Sequence, residues 1–129
     1  MESHMADDVT KITTGSLIAA GKVEGTDVYN ADGEHLGAVD DVMIDKSSGK
    51  AIYAIMSFGG FLGIGEKYHP LPWSTLTYDE SKGGYVVNLD KQMLEGAPTY
   101  DADEEFLWTP DYGQRVDKYY NAPSYWPSV

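Results

Sequence analysis

Leu36-Gly37-Ala38-Val39-Asp40-Asp41-Val42-Met43-Ile44-Asp45 runs between two turn-rich segments, Asn30-Ala31-Asp32-Gly33-Glu34 and Lys46-Ser47-Ser48-Gly49-Lys50. Asn, Asp and Gly tolerate the left-handed dihedrals that tight turns need. Between the turns, Leu36, Ala38, Val42 and Ile44 share one face of an extended chain, which predicts a half-buried strand. Upstream, Thr26-Asp27-Val28-Tyr29 is β-prone. Downstream, Ala51-Ile52-Tyr53-Ala54-Ile55-Met56-Ser57-Phe58 is apolar on both faces. A strand buried on one side alternates, so a cover over the second side is expected. A glycine-rich connection, Gly59 to Gly65, leads to a strand from Glu66 to Trp73. Pro70 and Pro72 lack the amide donor there, which places that strand at an edge or a bulge. Thr75 to Asp79 and Tyr85 to Leu89 read as further strands around the turn Ser81-Lys82-Gly83-Gly84. About six short strands in roughly 70 residues predict an all-β unit, a small antiparallel six-stranded barrel.

Helical signals come only later. Asp90 is placed to cap Lys91-Gln92-Met93-Leu94-Glu95, with Gly96 and Pro98 ending the turn. Thr109-Pro110-Asp111 is a second helix start, with proline at the first helical position. Tyr112, Val116, Tyr119 and Tyr120 then share one helical face. Half of the chain's Phe, Trp and Tyr residues lie from Tyr100 onward. Three segments follow: residues 1–15, a cloning scar and flexible N-terminus; 16–96, the barrel; and 97–129, an aromatic-rich, mostly helical or irregular extension packing on the barrel. Packing of that extension would supply the missing cover over Ala51 to Phe58. Exchange with a second subunit, or docking on a partner, is the alternative use of the same aromatics.

Composition narrows the function. The 129 residues carry 9 Lys+Arg against 21 Asp+Glu, a formal charge of −12. Phosphate backbones and anionic lipid surfaces attract the opposite sign, so no nucleic-acid partner is expected. No apolar run is long enough for a transmembrane helix. Cysteine is absent, which removes disulfides and thiolate chemistry and fits a cytoplasmic location.

At the level of linked segments the chain resembles a known family. Gly25-Thr26-Asp27-Val28-Tyr29-Asn30, followed by Asp32-Gly33-Glu34-His35-Leu36-Gly37-Ala38-Val39-Asp40-Asp41-Val42-Met43-Ile44-Asp45, is similar to the opening of a PRC-barrel domain. Ala54 to Lys67, followed by Pro72-Trp73, looks like the stand-alone bacterial kind. The resemblance spans roughly residues 20 to 96. That module also forms the cytoplasmic barrel of the photosynthetic reaction centre H subunit and part of a ribosome-maturation protein. The resemblance implies a docking element on larger assemblies.

The residues suggest little chemistry of their own. Gly59 to Gly65 is no phosphate cradle, because Pro70 and Pro72 forbid the helix that must follow one. His35 and His69 have no zinc-site spacing. The acids at Asp101, Asp103, Glu104 and Glu105 lack the glycine and distal glutamate of a calcium loop. Ser57 and Ser74 lack a nucleophile elbow. No cofactor and no metal are expected. The expectation is a non-catalytic protein–protein interaction or adaptor module, docking on an unknown protein partner or forming a homo-oligomer. Its contacts are assigned to Phe61, Leu62 and Ile64 on the glycine-rich tip, and to Trp108, Tyr112, Tyr119 and Tyr120 in the extension. The alternatives are a small hydrolase or ligand-binding barrel using His69, Asp41 and Asp45, and a ribosome-maturation role by family analogy.

Overall fold

Two side chains turn the chain at the ends of the deciding stretch. Asn30 Oδ1 accepts the amides of Asp32 at 3.0 Å and Glu34 at 2.8 Å, and Asp45 Oδ1 accepts those of Ser47 and Ser48, both at 2.8 Å. Such local bonds offer the backbone an alternative to the ladder and reverse it. The computed structural model describes residues 16–58, 67–101 and 106–126. Among them seven strands form one sheet: β1 (Asp27–Asn30), β2 (His35–Ile44), β3 (Ala51–Phe58), β4 (Lys67–Pro72), β5 (Thr77–Asp79), β6 (Gly84–Val87) and β7 (Tyr100–Asp101). Their order is β5-β6-β1-β2-β3-β4-β7. Three α-helices, α1 (Ala20–Val23), α2 (Lys91–Glu95) and α3 (Pro110–Tyr119), and a one-turn 3-10 helix, Trp73–Thr75, accompany them among the described residues.

The fold is predominantly β, as its turn spacing predicts, but the six-stranded antiparallel barrel is corrected on three points. The sheet has seven strands; it is mixed, because β1 pairs parallel with β6; and its outer strands β5 and β7 do not pair, so it stays open. A parallel pair needs a long crossover. Here the whole β2–β5 meander supplies it, and no local pattern marks a partner so distant. β7 has two residues, too few to show a period.

A second correction concerns β2. Val39 pairs with Met56 while Asp41 pairs with Ile55, so Asp40 is an extra, bulged residue. A bulge re-aims every side chain beyond it. Leu36 and Val39, both before the bulge, are buried, whereas Ile44 beyond it, expected on the face of Leu36, is 54% exposed. Gly37 lies close against the backbone of β3. A Cβ there would sit 2.2 Å from the Ser57 carbonyl oxygen.

The prolines sit as their chemistry requires. β4 pairs with β3 along its whole length, but β7 meets only Lys67 and Tyr68. Pro70 and Pro72 thus occupy the unpaired part of an edge, and α3 packs against β4. Asp90 Oδ1 caps α2 by accepting the Met93 amide at 2.9 Å. Exposed ion pairs, Lys91–Glu34 at 3.1 Å and Lys67–Asp101 at 2.6 Å, add at most about 1 kcal/mol each.

Tyr53, Ala54, Ile55 and Met56 are all buried, and successive side chains of a strand face opposite sides. β3 is therefore covered on both. His69, opposite Met56 in β4, is 3% exposed, and burial lowers its pKa from 6.5 to about 4. Above pH 6.5 the imidazole is neutral in folded and unfolded chains alike. As pH falls from 6.5 towards 4, the unfolded chain takes the proton first, so stability is lost across that window. Denaturant melts should show this loss, on the order of 3 kcal/mol, in the wild type relative to His69→Phe. Parallel pH profiles for the two proteins would refute the assignment.

Candidate interaction surface

α3 begins where sequence places it. Thr109 Oγ1 accepts the Tyr112 amide at 3.2 Å, and Pro110 fills the first helical position. Tyr112, Val116 and Tyr120 face inward, at 7%, 0% and 8% exposure. Burial pushes the Tyr120 phenol well above its ordinary range. Beside this stripe run Gly113 and Asp117, also buried. They meet Tyr53 of β3. The Tyr53 hydroxyl donates to Asp117 Oδ1 at 2.9 Å and accepts the Trp126 indole N–H at 2.8 Å. Asp117 Oδ2 accepts the Tyr125 amide at 3.1 Å. Burial and the adjacent Asp117 carboxylate push the Tyr53 phenol up, outweighing the opposing Trp126 bond, so it stays a donor. Around this hub the rings pack closely. Tyr53 lies 4.8 Å from Trp108, Trp108 5.2 Å from Tyr112, and Tyr100 stacks on Phe106 at 4.3 Å.

The extension residues assigned to a partner thus have different fates. Tyr112 and Tyr120 are spent on internal packing. Trp108 is half-buried against Tyr53. Tyr119 keeps 37% of its surface, and its hydroxyl donates to the Met93 carbonyl at 2.5 Å. Phe61, Leu62 and Ile64 lie outside the described residues.

Exposed apolar side chains border several surface clefts among the described residues, three of which are distinct in lining. Leu17 and Tyr78 border one with Trp73, Leu76 and Tyr85. Tyr119 borders a second with Gly96, Pro98, Arg115 and Lys118, and exposed Met93 is tied to it by the Tyr119 bond. Ile44 and Tyr125 border a third, a slot of about 110 Å³ lined by Met43, Asp45, Ile52, Tyr53, Trp108 and Trp126. At its rim the Tyr125 hydroxyl donates to Asp45 Oδ2. That bond and the Ser48 and Ser47 amides hold the Asp45 carboxyl low, at about 2.

The sequence gives no role to Tyr53, Gly113 and Asp117, and Tyr125 and Trp126 figure in it only among the aromatics of the extension. One signal was available: a glycine inside a helix costs about 1 kcal/mol relative to alanine and commonly marks a close packing contact. The residues suggested for a hydrolase are engaged elsewhere. Asp41 accepts the amide of Val42, Asp45 holds its own turn and Tyr125, and His69 is buried in β4. His35 pairs with Asp27 at 2.9 Å on the surface.

With this geometry in hand, comparison with known proteins settles the family. The chain belongs to the PRC-barrel domain family, whose model matches residues 16–94. A solved structure similar to it is that of a Pseudomonas aeruginosa protein described as a 16S ribosomal RNA processing protein, RimM. The two share 17% identity at a TM-score of 0.39, over 62% of this chain and 48% of that one. The chain therefore spans about half of that protein's length. No curated protein matches it. No helix among the described residues is long and apolar enough to cross a membrane.

Gly113 provides the sharpest test of the hub. A Cβ there would meet the Trp126 indole nitrogen at 1.9 Å. At an ordinary helix position Gly→Ala stabilises by about 1 kcal/mol. Gly113→Ala should instead destabilise by about 2–4 kcal/mol, because Trp126 must leave and Tyr53 loses its donor. Equilibrium denaturation reads this directly, and a neutral or stabilising result would remove the Trp126 contact from the folded state.

Proposed function

We propose that this PRC-barrel protein is a non-catalytic docking module that binds a protein partner or a second copy of itself through apolar side chains left at its surface. The carrying observation is that large exposed apolar residues gather at clefts: Leu17 with Tyr78, and Ile44 with Tyr125. Single exposed apolar residues are ordinary, whereas apolar residues grouped around a concave rim favour a contact surface. The charge of −12 selects the partner further. It disfavours RNA and DNA and favours a protein with a basic surface. Absent cysteine fits a cytoplasmic setting.

The test is site-directed photo-cross-linking in extract of the native organism. A benzophenone amino acid replaces Tyr78, Tyr119 or Tyr125 in turn, with exposed Lys22 as the control. One or more aromatic positions should give a protein adduct of fixed mass, and Lys22 should give none. An adduct of twice the chain mass identifies self-association. No adduct at any of the three positions, or equal adducts at Lys22, would overturn the docking reading.

A further inference from the structure

The slot at the end of the β2–β3 hairpin combines aromatic walls with a carboxylate held in place by local bonds. Four aromatic residues, Tyr53, Trp108, Tyr125 and Trp126, line its volume of about 110 Å³ together with Met43, Ile44 and Ile52. Liquid water takes about 30 Å³ per molecule. That is room enough for the end of one side chain. Its polar feature is the carboxylate of Asp45, and that group is fixed in place. Oδ1 accepts the Ser47 and Ser48 amides at 2.8 Å, and Oδ2 accepts the Tyr125 hydroxyl.

We propose that this slot receives the cationic end of a lysine or arginine side chain from a basic segment of the protein partner, with Asp45 as counter-ion. The inference rests on the docking reading above and names the chemistry of its contact. Two physical arguments favour a cation over an apolar side chain. An apolar occupant would strip water from the Asp45 carboxylate and return nothing, which is costly for an ionised group. A cation keeps that charge paired, while its hydrocarbon stem lies on Ile44 and Ile52. The aromatic walls add to this, since tyrosine and tryptophan rings attract cations through their electron-rich faces. The whole-chain charge of −12 acts in the same direction, steering a basic segment towards the surface. Asp45 is ionised throughout the working range, because its hydrogen bonds, that from Tyr125 foremost, hold its pKa at about 2.

The chain carries three tryptophans, and Trp108 and Trp126 line the slot while Trp73 does not. The indole N–H signals in a nitrogen-15 correlation spectrum therefore contain their own control. The intact protein is titrated with Nα-acetyl-lysine amide, Nα-acetyl-arginine amide and the uncharged Nα-acetyl-norleucine amide. At least one charged amide should move the Trp108 and Trp126 signals saturably and leave Trp73 in place. Norleucine amide should bind at least about fivefold more weakly, as should either charged probe to Asp45→Asn. Asparagine can still accept the two turn amides, so the variant should keep its fold, which its thermal melt checks. Unmoved Trp108 and Trp126 signals, or equal binding of norleucine amide, would overturn the proposal, as would undiminished binding to a folded Asp45→Asn. If these probes fail while a benzophenone at position 125 still captures a partner, the cation pocket falls and the docking reading stands. If both fail, both fall.

Discussion

One buried hydroxyl joins the two halves of this protein. Tyr53 sits in β3, an interior strand of the sheet, and its oxygen binds both the helix and the hook that follows it, through Asp117 and the Trp126 indole. A buried carboxylate is tolerated only with partners. Asp117 has the Tyr53 hydroxyl on one oxygen and the Tyr125 amide on the other. Gly113 permits the indole to lie against the helix. The network orders a segment that would otherwise be unstable, since an isolated helix of about ten residues is marginal in water.

The hub also determines what surface is left. It sets Asp117, Trp126 and Trp108 against Tyr53 of β3, while Tyr112, Val116 and Tyr120 of the same segment are buried. Helix α3 packs against β4, where Pro70 and Pro72 cannot donate to another strand. An open edge invites strand addition, and prolines with a covering helix blunt that hazard. Tyr125 and Trp126 are placed by the same bonds beside Ile44 and Asp45, and the aromatic slot forms between them. The candidate interaction surface is thus a by-product of how the fold closes.

Charge then separates the docking partners that such a surface can take. Acids outnumber bases by more than two to one. Some of the cations present are committed to internal pairs, Lys67 with Asp101 and Lys91 with Glu34. That balance opposes a phosphate backbone and suits a basic protein surface. The family itself does not decide between them, because one fold hosts many functions.

Features that rest on close neighbours along the chain were legible in the residues alone. The turns at Asn30 and Asp45, the caps at Asp90 and Thr109, the proline edge of β4 and the inward stripe of α3 follow from side chains acting within four residues of one another. The PRC-barrel resemblance was legible for a similar reason, since it lies in the linked order of such segments. Tertiary structure decided the rest. The bulge at Asp40 arises from the fit of β2 on β3, and the parallel β1–β6 pair joins strands at opposite ends of the sheet-forming region. Tyr53 meets Asp117 across 64 residues and Trp126 across 73, and Asp45 meets Tyr125 across 80. No periodicity encodes such distances. A hydroxyl, a carboxylate and an indole become partners only once burial removes water as the competing partner, and burial belongs to the folded chain.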